Sequence, residues 1–151
     1  MSTRSFIAME LENGKGYRGV YCHSDGYPSW NGRMLHQHYT DPVKLAALLD
    51  LGFLSCLGMG LGEKHDFRDR YDKAITTAYG RDRGDKDCEA EHCHSLLQLI
   101  QVARDMDAVY LYVFSRAGEW LFTPISWRET TGPLMSLVKE LETIGAIEDV
   151  S

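Results

Sequence analysis

The stretch GVYCHSDGYPSW, residues 19–30, places Tyr21, Cys22, His23, Asp25, Tyr27 and Trp30 within one short segment. A thiol beside an imidazole suggests nucleophilic or metal chemistry, and rings beside an acid suggest a ligand pocket. On a strand, however, Cys22 and His23 point to opposite faces, which argues against their acting as a pair. A pair built from Cys22 and a distant His is open to any chain with four Cys and six His, so it discriminates little. A second cluster is CEAEHCH, with Cys88, His92, Cys93 and His94. The apolar spacing that follows, through Leu96, Leu97, Ile100 and Ala103, predicts one helix from Asp87 to about Met106. On such a helix His92 and His94 lie ~160° apart and cannot grip one ion. Cys93 falls on the apolar stripe. Only Cys88 and His92 share a face, which is half a zinc site. His36 and His38 oppose each other in the same way. Neither a metal nor a cofactor is expected. The chain also lacks C-x-x-C, H-E-x-x-H, G-x-S-x-G, a Walker A loop and G-x-G-x-x-G.

Polar groups gather in two further stretches. GEKHDF supplies His65 and Asp66, and AYGRDRGDKD supplies Tyr79, Arg81 and Arg83. An arginine presents a planar fork of donors suited to phosphate or carboxylate, and Tyr79 offers a ring for stacking. The competing reading is a solvated loop in which Asp82, Asp85 and Asp87 neutralise the arginines, with the aromatic residues of 19–30 buried in the core. The ligand reading joins residues 19–30 to residues 78–84 in space. Tyr21, His23, Asp25, Tyr27 and Trp30 form one lip, Tyr79, Arg81 and Arg83 the other, and His65 and Asp66 the wall. Loss of either arginine is then expected to weaken binding roughly 10- to 100-fold and leave the melting temperature almost unchanged.

The elements that must position these residues read as follows. Residues 5–11 alternate as a strand, Asn13-Gly14 signals a hairpin, and residues 17–23 return. A helix covers about 30–39, weakened at Gly32. Asp41-Pro42 caps a second helix through Leu51, stopped by Gly52 and apolar nearly all round. Residues 52–72 read as irregular and 74–79 as a strand. Val109–Phe114 and Glu119–Ile125 form another hairpin; Leu111 faces the core, and Tyr110 and Tyr112 are free to floor a pocket. A last helix is capped by Thr131 and carries Leu134, Leu137, Val138, Leu141 and Ile144 on one face. Ile100 and Leu137 are expected to be core positions. The fold class is α+β: an antiparallel sheet of two hairpins with amphipathic helices packed on it.

Composition sets the outer bounds. The chain has 151 residues, 44% hydrophobic and 25% charged, with a net charge of -6. One globular domain over residues 1–151 is expected. The acidic balance disfavours nucleic acid and anionic membrane as partners but leaves room for a local anion pocket. MSTRSFIAMELENG does not read as a signal peptide, and no stretch approaches the ~18 apolar residues of a span. Four cysteines in this setting read as free thiols in a reducing, cytoplasmic compartment, with Cys93 in the core and Cys56 in a tight apolar turn.

Taken together, GVYCHSDGYP…NGRMLHQHY, GEKHDF, AYGRDRG and a YLYVF…GEW hairpin resemble a family of small phage and prophage proteins, over most of residues 4–125. The resemblance implies a phage or prophage origin and a single domain in the host cytoplasm, and it carries no activity with it. Ser24 stands where the family pattern has Trp, Phe53 interrupts a small polar pattern, and the His/Cys-rich segment near Cys88 differs.

Two readings from different classes stay open. The first is a non-catalytic counter-defence protein that sequesters a small anionic, nucleotide-derived signal. The second is a protein–protein inhibitor of a host defence complex, anti-CRISPR-like, using its Tyr/Trp surface as a hot spot. A small hydrolase or metal-dependent enzyme is the least supported. Association into a homo-oligomer stays open.

Overall fold

The computed structural model describes residues 2–125 and 132–148. Strand β1 (Ser5–Glu10) and β2 (Tyr17–Cys22) form the first hairpin, in register from Ser5 opposite Cys22 to Glu10 opposite Tyr17. The turn between them uses left-handed backbone at Asn13 and Gly14, as the Asn-Gly pair predicts. Strands β3 (Leu54–Cys56), β4 (Thr77–Ala78), β5 (Glu91–Cys93), β6 (Tyr110–Phe114), β7 (Trp120–Pro124) and β8 (Met135–Ser136) complete the sheet. Among the described residues five α-helices accompany it: α1 (Arg33–His38), α2 (Pro42–Asp50), α3 (Tyr79–Arg83), α4 (Leu96–Asp105) and α5 (Leu137–Thr143).

The class is α+β, but the sheet is mixed rather than antiparallel. Its order is β4-β3-β2-β1-β6-β7-β8, with β5 beside β3 on the outer edge of β2. The two hairpins meet through β1 and β6, which run parallel, and β2 also runs parallel to β3. A hairpin signal specifies only its own two strands. The long connection from β2 to β6 carries the chain back to the end of the sheet where β1 begins, so the joining pair runs in one direction.

Both faces of the central strands are buried. On one face Ile7, Val20, Cys22, Leu54, Tyr112 and Phe122 pack against Leu35 and Tyr39, Leu45, Leu48 and Leu49 of α2, and Leu137 and Leu141 of α5. On the other, Phe6, Ala8, Leu111 and Val113 pack against Leu99 and Ala103 of α4 and Cys93. No residue of β3 or β4 belongs to this second core. Tyr112, expected to be free for a pocket, is fully buried, and its hydroxyl donates to the Gly26 carbonyl at 2.7 Å. Asp41 caps α2 as expected, accepting from the Val43 N–H at 2.9 Å, although Val43 itself is 76% exposed. Gly32 lies at the end of a π-type turn, Pro28–Gly32, ahead of α1. A Cβ there would meet Leu137 Cδ1 at 3.1 Å and Tyr112 Cε1 at 3.3 Å, so its weak helix propensity is offset by close packing of α1 on α5 and β6.

Two expectations fail for a shared reason. The segment 52–72, read as irregular, holds β3, and the predicted helix at Asp87 begins only at Leu96. Ser95 is its cap, accepting from the Gln98 N–H at 3.1 Å. Asp87 has a left-handed φ of 57°, and Glu91–Cys93 forms a strand against Tyr17–Gly19. Free ladder positions on β2 outcompete local helical spacing. The close crossing needs Gly16, whose added Cβ would fall 2.1 Å from the Cys93 carbonyl oxygen. The predicted cap Thr131 lies outside the described residues; α5 is capped by Ser136. Among the described residues, no helix is long and apolar enough to cross a membrane.

Candidate functional site

The ten predicted site residues divide among three places. The first is the sheet surface where β2, β3 and β4 lie side by side. Cys22, Leu54 and Ala78 point into the first core. By alternation Tyr21, His23, Ser55, Thr77 and Tyr79 take the opposite face, where Tyr21 packs against the edge of the second core. The backbone binds the three segments: His23 N–H donates to Leu54 O, Ser24 N–H to Ser55 O, and Tyr79 N–H to Phe53 O. Residues 19–23 and 78–83 therefore do meet, with β3 between them, although Tyr27 and Trp30 are not part of that meeting.

This surface is aromatic. The rings of Tyr21 and Phe53 meet edge to face at 6.1 Å, and those of Phe67 and Tyr79 lie 5.7 Å apart. Arg83 spreads its guanidinium over both Phe67 and Tyr79, 4.7 Å from each centroid. The Tyr21 hydroxyl and His23 Nδ1 share a hydrogen bond at 2.8 Å. Burial pushes the Tyr21 phenol up to about 12, and burial with the nearby Arg4 cation holds His23 below its ordinary value. The phenol stays protonated and the imidazole neutral near pH 7, so the pair offers donors and rings rather than charge.

The second place is an internal brace. The Asp82 side chain is fully buried. It accepts from the N–H of His65 at 3.1 Å, the N–H of Ala78 at 2.8 Å and Nε of Arg81 at 3.1 Å. Burial pushes this carboxyl up, but those hydrogen bonds prevail and hold it below the usual range. Arg81 also donates from Nη2 to the Thr76 carbonyl at 2.7 Å and to Asp82 Oδ2 at 3.2 Å, and from Nη1 to the Gly62 carbonyl at 3.2 Å. Its fork is thus occupied by the fold, as the neutralising reading of AYGRDRG anticipates. Arg83 is likewise matched to Asp85, at 2.7 and 2.9 Å, but in solvent. His65 donates from Nδ1 to Glu63 O at 2.7 Å and accepts at Nε2 from the Thr77 hydroxyl at 2.7 Å. With Asp82 Oδ1 3.4 Å from Nδ1, this has the order of a hydroxyl–imidazole–carboxylate relay. Thr77 is fully buried, so its hydroxyl reaches no substrate, and the chain serves as a brace. Asp66 caps the short turn Phe67–Asp69 and pairs with Arg68, which holds its carboxyl at about 2.

The third place surrounds Trp30. Lys73 lies 5.0 Å and Arg33 5.6 Å from the centroid of its ring. Asp25 pairs with Lys73 at 3.0 Å, and Tyr27 is 38% exposed to solvent. Sequence reading missed Arg4, Arg33, Phe53, Ser55, Phe67 and Lys73. Arg33 and Phe67 sit inside stretches already singled out, but nothing local distinguishes them.

The histidine geometry also changes. Because Glu91–Cys93 is a strand, His92 and His94 are not 160° apart; their rings meet at 4.9 Å. Cys88 and His92 no longer share a helix face. His92 Nε2 donates to the Lys15 carbonyl at 2.9 Å. Among the described residues no group of three or more His, Cys, Asp or Glu is placed to hold a metal ion. Cys22, Cys56 and Cys93 are buried free thiols and Cys88 is a half-buried one; Cys56 sits in β3 rather than a turn. No family model matches the chain, and no curated protein and no solved structure matches it.

Proposed function

We propose that this chain is a non-catalytic binding protein, of phage or prophage origin, that sequesters a small anionic, nucleotide-like ligand on the aromatic surface of β2, β3 and β4. One observation carries the reading: Arg83 lies over Tyr79 and Phe67 at the rim of a surface lined by Tyr21 and His23. Rings stack on a base, and the neutral His23 ring offers a further polar contact. The Arg83–Asp85 pair stands in water, where such pairs are weak, so a phosphate can exchange for Asp85. Arg81 and His65 support this surface from beneath rather than touch the ligand, and Asp66 is paired with Arg68 in solvent. The resemblance to phage and prophage proteins supplies the counter-defence setting. A thermal-shift and native-mass screen against anionic nucleotides tests it. A nucleotide should raise the melting temperature, and Tyr79→Ala should weaken its binding about 10-fold or more, the worth of one stacked base. A screen with no hit, or binding unchanged in Tyr79→Ala, ends the reading.

A specific observation favours the second reading, a protein–protein inhibitor. The strip continues past Phe67, because Arg70 lies 5.1 Å from that ring and 4.7 Å from Tyr71, which is 63% exposed. Alternating Tyr, Phe and Arg is the composition of interface hot spots. Co-purification of a host defence protein that Tyr71→Ala abolishes, without any nucleotide shift, selects this reading over the first.

A further inference from the structure

We propose that the groove beside Trp30 is a separate binding site for a small phosphate-bearing ligand, held by Arg33 and Lys73. The groove has a volume of about 180 Å³ and is lined by Trp30, Arg33, Met34, Gln37, His38, Met59 and Lys73. The chain carries a net charge of -6, yet this lining holds two cations and no acid. Among the described residues no carboxylate pairs with Arg33; its recorded contact is the Trp30 ring at 5.6 Å. Lys73, 5.0 Å from the same ring, is held in place by Asp25 at 3.0 Å. The Trp30 ring forms a wall of the groove, and both cations lie beside it.

The walls are also fixed in advance. Lys44 donates to the carbonyls of His38 and Met59, both at 2.7 Å, and so clasps α1 to the segment opposite. A preorganised groove loses less on binding. Its size falls below that of pockets for drug-sized ligands, which suits a phosphate with a few attached atoms. A fork and an ammonium on different residues can take separate oxygens of one tetrahedral dianion. The site stands independently of the nucleotide reading, which uses other residues.

Titration calorimetry on the whole chain with inorganic phosphate, ribose 5-phosphate and acetate tests it. The expected result is saturable one-to-one binding of the phosphate compounds and none of acetate. Tighter binding of ribose 5-phosphate marks an ester site, and equal binding marks a site for free phosphate. Arg33→Gln and Lys73→Met should each weaken binding 10-fold or more, and Tyr79→Ala should leave it unchanged. Absence of saturable phosphate binding, equal binding of acetate, or a folded Lys73→Met chain that binds as the parent does would overturn the proposal. Because Tyr79→Ala acts only on the aromatic surface, failure of one site leaves the other separately testable.

Discussion

The backbone N–H of His65 donates to Oδ1 of Asp82 at 3.1 Å, tying GEKHDF to AYGRDRG through a carboxylate that solvent does not reach. The same carboxylate receives Ala78 and Arg81, so one side chain fixes the loop, the end of β4 and the start of α3. Removing it strands a partly buried guanidinium and two backbone donors. Asp82→Ala is expected to cost about 3–5 kcal/mol in urea unfolding, as for a broken buried pair. A loss below about 1 kcal/mol would show that the brace is dispensable.

The two arginines of that stretch should separate cleanly. Arg81→Ala removes hydrogen bonds to two carbonyls and to Asp82, and should destabilise by about 2 kcal/mol. Arg83→Ala should leave the melting temperature unchanged, because its pair with Asp85 stands in solvent. Equal melting temperatures for the two variants would contradict this division.

Stability should fall on the acid side through His23. Burial and Arg4 hold its imidazole below the ordinary value of 6.5, so the unfolded chain binds the proton more readily. The contribution is fully present above that value and is lost as pH falls from it towards the lower folded value. Asp82, held below the usual carboxyl range, loses its own contribution only in stronger acid. Melting curves across this range should show the decline, and His23→Gln should flatten its first part. A melting temperature that rises on mild acidification would contradict the assignment.

Native thiol labelling should find one reactive cysteine. Cys88 is half-buried while Cys22, Cys56 and Cys93 are buried. Burial, Asp85 and Glu89 raise the Cys88 thiol, so labelling should be slow near neutrality and quicken with alkali. Unfolding should release all four thiols. Fast labelling of more than one thiol in the native state would show that a core is open.

Core truncations should rank by burial. Leu137 and Leu99 are fully buried, and their replacement by Ala should cost about 2–4 kcal/mol each. Ile100, expected from its spacing to match them, lies partly exposed on α4, so Ile100→Ala should cost about 1 kcal/mol. Denaturant curves that reverse this order would mean that α4 is rotated about its axis.

Local chemistry made much of the chain legible from sequence. The Asn13-Gly14 turn, the Asp41-Pro42 cap, the stop at Gly52 and the β6–β7 hairpin each depend on a few adjacent residues, and each stands where those residues place it. The mixed α+β class follows from the same signals. The unusual make-up of residues 19–30 and 78–84 was also visible in sequence, and the fold brings parts of those segments to one sheet surface.

Tertiary structure alone decided the rest. The direction in which β1 meets β6, and the choice of a strand at Glu91–Cys93, depend on hydrogen-bonding edges supplied by distant segments. No local spacing contains that information. The same holds for the partners of the arginines. Arg81 and Arg83 are alike in sequence, yet one is consumed by Asp82, Thr76 and Gly62 and the other stands over two rings in water. Arg33 and Lys73 come together only because a π-type turn, α1 and the segment before β4 converge on Trp30. Charge availability is a property of three-dimensional pairing, and for that reason sequence could name the cations but not which of them the fold leaves without a buried partner.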